Sequence, residues 1–210
     1  MARTRQKQSK DRHKEILEAA ARVITDRGLA ETRISDIAER CGVSPGLILY
    51  YFESKDRLLV EALTYANDTF YVNMSRELRR TTSAKKQLAR LIELSVPGLL
   101  PEYERLDEWA LWIEIWARAL RDPAMAKERE MLDRRWRQSI ADIVRHGRGT
   151  GEFPEGIDAD DLGMRIGALV DGLAIQVLLN DAALSPERML QIGNEVAAAL
   201  IGYALEPAPA

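Results

Sequence analysis

Cysteine is nearly absent from this chain. Cys41 stands alone among 210 residues, which excludes a disulfide within the chain and a thiolate cluster around a metal. Histidine is almost as scarce. His13 and His146 lie far apart, and neither belongs to a cysteine or carboxylate pattern with metal-ligand spacing. No cofactor is expected. No apolar run approaches the ~18 residues that a membrane-spanning helix requires. The basic start, MARTRQKQSKDRHKE, also lacks the apolar stretch of a signal peptide. A cytoplasmic protein with no membrane partner is expected. Gly147, Gly149 and Gly151 invite comparison with a nucleotide-binding loop, but no strand precedes them and no Gly-Lys-Ser/Thr follows. No Ser-His-Asp or Cys-His set can be assembled, so an enzyme is not expected.

An overall excess of positive charge is missing as well. The formal net charge is −3, so composition alone does not make the molecule a polyanion binder. The charge is uneven, however. Residues 1–60 hold 12 Lys+Arg against 9 Asp+Glu, whereas the remainder hold 18 against 24. A basic front end on an acidic body suggests a phosphate-facing module joined to something else. The first eleven residues or so are expected to form a flexible basic arm, either touching a nucleic-acid backbone or simply solvated.

Helical periodicity is what the chain has, almost everywhere, and there is no convincing alternating strand. The expected fold class is all-α, with about nine helices. Ile16, Leu17, Ala20, Val23 and Ile24 form one apolar stripe that Gly28 ends. A short helix follows, with Ser35 as its N-cap, Asp36 at its positive end, Cys41 as a small core residue and Gly42 as its stop. A long helix is expected from Ser54 to about Arg80. Further helices are expected from Ser83 to Pro97, Glu102 to Arg121, Pro123 to His146, Ala159 to Leu179 and Pro186 to Leu205. GRGTGEFPEG, residues 147–156, is expected to be a loop.

Between the short helix and the long one lies GVSPGLILYYFESKD, residues 42–56. Gly42 supplies the freedom for a tight turn, Val43 would plug the core beneath it, Ser44 can cap the next helix, and Pro45 suits a first helical position. Two short helices joined in this way make a helix-turn-helix. Ile48 and Phe52, four residues apart, would point inward. Leu47, Tyr50 and Tyr51 would lie on another face. An apolar edge and phenols beside a capped helix start suit the major groove of DNA, and Lys55 is placed for a phosphate. The competing reading makes the tyrosines half-buried core residues.

TRISDIAERCGVSPGLILYYFESKDRLL resembles the DNA-binding signature of the TetR family of bacterial transcriptional regulators, over about residues 12–60. The resemblance implies a homodimer whose third helix enters the major groove of a double-stranded operator. It implies DNA contacts at Thr32, Arg33, Ser35, Ser44, Pro45, Gly46, Leu47, Tyr50, Tyr51 and Lys55. It also implies domains at 1–54 for DNA and 55–205 for ligand and dimerisation; the tail EPAPA, residues 206–210, is expected from its composition to be disordered. Where many members carry a phosphate-contacting tyrosine, this chain has Leu49. LILYYF and the Asp-Gly in ALVDGLAIQVLL are similar to the branch of betaine/choline-responsive regulators.

In the body, Trp109, Trp112 and Trp116 stand at i, i+3 and i+7, with Tyr103 and Glu114 nearby and Trp136 on the next helix. They read either as the lining of a small-molecule pocket, suited to an aromatic, apolar or cationic inducer, or as a core stripe. Asp171 sits in an otherwise apolar run, where a lone carboxylate is costly unless paired. It could cap a helix, bridge a dimer or face ligand, and Gln176 raises the same question. Gly163, Gly167, Ala168, Gly172, Ala174, Ala197, Ala198 and Gly202 allow close helix approach. They suit either a four-helix dimer interface or packing within one chain. The family resemblance implies a repressor released from a palindromic operator by a ligand that moves the long fourth helix. The rivals are an activating or ligand-insensitive regulator of the same fold, and a small-molecule carrier that does not bind DNA.

Overall fold

A computed structural model describes the backbone of residues 2–100 and 108–203 and the side chains of 11–100 and 109–203. Among the described residues there are nine helices: α1 Ala2–Arg27, α2 Ile34–Cys41, α3 Pro45–Phe52, α4 Lys55–Leu78, α5 Ala84–Leu94, α6 Glu108–Ala119, α7 Pro123–Gly149, α8 Ala159–Leu178 and α9 Pro186–Ile201. None is long and apolar enough to cross a membrane. The expected start of the sixth helix at Glu102, Tyr103, and the tail 206–210 lie outside the described residues.

The chain folds into two compact units. The first comprises Met1–Val72 and Arg105–Arg129, the second Asn73–Glu104 and Glu130–Ala210. In the first unit, Ile16, Leu17, Ala20, Val23 and Ile24 of α1 are buried, together with Ile37 and Ala38 of α2 and Leu58, Leu59, Ala62 and Leu63 of α4. Tyr65 of α4 donates to Glu18 of α1 at 2.7 Å. Asp122 caps α7 by accepting from the backbone of Ala124 at 3.0 Å and Met125 at 3.3 Å. Those bonds, the Met125 one foremost, hold its carboxyl below the usual range.

The second unit is built on caps and close approaches. Leu88, Leu91 and Ile92 of α5, Ile140 and Val144 of α7, Ile166 of α8, and Met189 of α9 form its core. Ser83 is the N-cap of α5. Glu152, from the turn after α7, accepts from Ser83 Oγ at 2.6 Å and from the backbone of Ala84 at 2.9 Å and Lys85 at 3.2 Å. These bonds, with the Ser83 hydroxyl first, pull its carboxyl down to about 2. A β-carbon at Gly193 would stand 2.8 Å from Ile92 Cγ2, so α9 meets α5 where a side chain is missing.

Three local expectations are corrected. Residues 2–10 extend α1 instead of forming a flexible arm. The stretch holds Arg, Lys and Gln, all good helix formers, and no glycine or proline to stop it. Second, Ser35 is not the cap of α2. Arg33 occupies that position, and Asp36 reaches back to accept its backbone N–H at 3.1 Å. Third, Gly147 and Gly149 belong to α7 and not to a loop. Gly147 is required inside the helix because the buried ring of Phe153 lies where its side chain would be. The small residues set aside for a dimer interface also divide. Gly163, Gly167, Ala174, Ala197 and Ala198 are buried within the chain, and Gly202 is the left-handed C-cap of α9. Ala168 and Gly172 are exposed.

Gly147→Ala forces Phe153 off its seat in a filled core. The expected cost is about 1–3 kcal/mol, read as a lower denaturation midpoint in urea with an unchanged slope.

Candidate nucleic-acid interface and effector site

The turn between α2 and α3 is fixed by backbone bonds. Gly42 adopts φ +64, donating to Glu39 O at 3.2 Å while Val43 donates to Ala38 O at 3.0 Å. This paired closure needs a left-handed residue, which is why glycine stands there. Ser44 then caps α3, its Oγ accepting from Leu47 N at 3.2 Å, with Pro45 in the first helical position. Ile48 and Phe52 are fully buried and seat the helix. Its opposite side is open: Tyr50 is 80% exposed and Leu49 43%. Leu47 and Tyr51 are half-buried. The Tyr50 and Tyr51 rings meet edge to face at 5.6 Å. Gly46 is exposed, and a β-carbon there would meet nothing within 4 Å, so the fold itself does not demand a glycine. Ser54 caps α4 by accepting from Arg57 N at 3.1 Å, which places half-buried Lys55 at the start of that helix.

Arg33 and Ser35 at the head of α2 are exposed, as a phosphate contact requires. Thr32 is not. It is completely buried, and its hydroxyl donates to the Gly28 carbonyl at 2.8 Å. Its inclusion among the DNA contacts is corrected: it ties the turn after α1 to the start of α2. Sequence reasoning also missed His13. The imidazole stacks on Phe52 at 4.5 Å, and its Nε2 lies 3.2 Å from Glu61 of α4, so it joins α1 to the helices on either side of the turn. The available signal was its position three residues before Ile16, on the core-facing stripe. Cys41 is half-buried, and burial pushes its thiol above the ordinary value. Among the described residues no group of His, Cys, Asp and Glu could hold a metal ion.

The tryptophans of α6 cluster with one another. Trp112 and Trp116 lie 5.8 Å apart, Trp109 and Trp116 6.4 Å. All three are half-buried, whereas the core stripe of α6 is Leu111 and Ile115. Glu114 lies against Gly28, its Oε1 3.0 Å from where a β-carbon would stand. In the second unit Trp136 is buried, and its indole N–H has no hydrogen-bond partner. Asp171 is half-buried, and its carboxyl is pushed up to about 7, first by desolvation and then by Asp133, against the pull of Arg137. Neither the Asp171 carboxyl nor any other Asp171 atom caps a helix. Gln176 is exposed and donates to Gly172 O of its own helix at 3.3 Å. Five residues along a helix, it points about 140° away from Asp171, so its grouping with Asp171 is corrected.

Two family profiles cover most of the chain. Residues 16–62 match the bacterial regulatory proteins of the tetR family, and residues 84–202 match the C-terminal part of BetI-type transcriptional repressors. The chain is 25% identical over 189 residues to the HTH-type transcriptional regulator BetI of Rhizobium meliloti (strain 1021), covering 88% of this chain and 86% of that one. It is also 25% identical over 175 residues to the fatty acid metabolism regulator protein of Bacillus subtilis (strain 168), covering 83% and 88%. Among solved structures it resembles a transcriptional regulator from Saccharomonospora viridis in complex with choline. That likeness has 38% identity and a TM-score of 0.77, over 89% of this chain and 95% of the other.

Thr32→Val keeps the shape and removes the hydroxyl. The expected loss is about 1 kcal/mol of folding stability from chemical denaturation, with no change in the DNA affinity of the folded protein.

Proposed function

The chain belongs to the tetR family of bacterial regulatory proteins, ligand-responsive DNA-binding transcriptional regulators, and from that premise we propose that it is a repressor that an organic cation releases from a palindromic operator. Regulators of this family bind operators and small molecules as dimers. The observation that carries the DNA half is the capped α3, with Ile48 and Phe52 sealed inside and Tyr50 standing out. Leu47, Tyr50 and Tyr51 read base edges, and Arg33, Ser35, Ser44 and Lys55 meet phosphates. Pro45 and Gly46 let the backbone come close, because neither carries a long side chain. Two copies related by a two-fold axis suit paired half-sites.

The effector half is supported by two patches, one in each unit. The α6 tryptophans offer ring faces, which attract organic cations. The α7–α8 seam offers the Asp171 carboxyl and the free indole N–H of Trp136. The relative solved with choline at 38% identity favours the same ligand class. Helix α4 runs unbroken from Lys55 in the first unit to Leu78 in the second. Effector binding alters its course and so the spacing of the two reading heads. Both heads must engage together, and a small change in spacing therefore weakens binding strongly.

Tyr50→Ala and Lys55→Ala separate base reading from phosphate binding. Tyr50→Ala relaxes preference at particular operator positions by about 1–3 kcal/mol, and Lys55→Ala weakens all sequences alike and flattens the salt dependence. Titrations of operator and scrambled duplexes at several salt concentrations read both effects; unchanged affinity in both variants sinks the placement of α3. The tryptophan reading has its own check. Choline that releases operator DNA should shift the intrinsic emission, and Trp112→Phe should diminish that shift.

A further inference from the structure

The α7–α8 seam leaves two polar groups without the partners that buried groups need. Trp136 Nε1 is buried with no acceptor. Asp171, half-buried, is held by no hydrogen bond, and the charged groups that face it are Asp133 and Arg137 of α7. The helices come together here because α8 presents glycines. A β-carbon at Gly163 would stand 2.6 Å from the Arg137 carbonyl oxygen, and one at Gly167 would stand 3.3 Å from Trp136 Nε1. Asp171 is one turn beyond Gly167 on α8, as Asp133 is one turn from Arg137 on α7, so two acids approach each other across the seam. Beside Asp171, Gly172 is exposed and a β-carbon there would meet nothing within 4 Å, so the seam opens to solvent at this point.

We propose that this seam receives the positive group of the effector, and that Asp171 releases a proton to solvent as it does so. The inference rests on the cationic-effector reading above. Before binding, burial and the neighbouring Asp133 keep Asp171 protonated in part near neutrality. A cation at the seam supplies the opposite charge, and the carboxylate then outcompetes the acid. Each cation that binds where Asp171 is protonated displaces one proton to solvent, and one that binds where it is already ionised displaces none, with no bond formed other than the ion pair. Trp136 donates its free N–H to an oxygen of the same ligand. The linkage has a definite sign. The effector binds the ionised form, so affinity falls as pH drops below about 7 and levels off above it. Between pH 6 and pH 8 the gain is about tenfold.

Calorimetry on the full chain with choline chloride decides it, at pH 6 and pH 8, in two buffers of different ionisation heat. Binding about tenfold tighter at pH 8, with a heat that depends on the buffer at pH 6, where Asp171 starts protonated, and hardly at pH 8, supports the proposal, as does loss of both effects in Asp171→Asn. If that variant does not fold, carboxyl NMR of the wild-type chain gives the same decision. The Asp171 signal should titrate near neutrality and move to lower pH when choline is added. Choline that binds equally at both pH values, with no buffer-dependent heat, overturns the proposal and leaves the cationic effector standing. Choline that binds at no pH removes the cationic reading and the proposal with it. Proton release that accompanies subunit association without choline, seen by sedimentation, assigns Asp171 to the dimer and overturns the proposal.

Discussion

The burial of Ile48 and Phe52 is the contact on which the reading surface depends. α3 has only eight residues, far too few to persist in water by helix propensity. Ser44 and Pro45 start it, but a cap contributes only about 1 kcal/mol, so tertiary contacts must hold it. Those contacts form a chain. Phe52 carries the ring of His13 from α1, His13 meets Glu61 of α4, and Glu61 accepts from Arg57 at 3.0 Å. Immediately after Phe52 the backbone takes φ +64 at Glu53, a conformation that a glutamate adopts only where its surroundings impose it. A helix fixed on one side and strained at its end has little freedom to turn, so the residues it exposes are set by what it buries.

The second unit is organised by a different constraint, the distance between helices. Gly147, Gly163 and Gly193 stand where a side chain would strike a ring, a carbonyl or a methyl group, and Gly167 stands where one would crowd the Trp136 indole. None of these four has a left-handed backbone; they are needed for space and not for conformational freedom. Close approach strips water from whatever polar groups lie along the seam. At the start of α5 that cost is met locally, by Glu152. At Trp136 and Asp171 it is not met, and a polar pair left without partners inside a tightly fitted seam marks a place where something else can bind.

Much of this was legible in the sequence, where local chemistry decides. The stripe Ile16–Ile24, the glycine stop at Gly28, the Gly42 turn and the Ser44–Pro45 start all depend on residues within a turn or two of one another. The failures share a cause. Thr32 is polar and adjacent to contact positions, yet its hydroxyl is claimed by the Gly28 carbonyl, a bond that only the folded turn creates. Gly147 looked like a loop residue because the ring it accommodates comes from Phe153, beyond the helix end. Gln176 was grouped with Asp171 by proximity in sequence, although helical geometry sends the two apart. Asp171 itself was legible as a problem, a carboxylate in an apolar run, but its neighbours Asp133 and Arg137 could be named only once α7 and α8 were laid side by side.

Magnitudes constrain how an effector can act on such a molecule. Moving a two-state equilibrium from 1:99 to 99:1 takes about 5.5 kcal/mol of differential binding. In a symmetric dimer two effectors share that, so each must prefer the released state by about 100-fold. An unpartnered buried N–H or carboxyl carries a penalty of about 1–3 kcal/mol, which is the right size for one such site. A ligand that pairs with Trp136 and Asp171 removes that penalty only in the conformation where it reaches both groups. If the seam kept the same geometry with and without DNA, an effector would stabilise both states alike and shift nothing, however tightly it bound. On the proposed reading the seam differs between the two states, and α7 and α8, which meet there, are the elements that carry the difference.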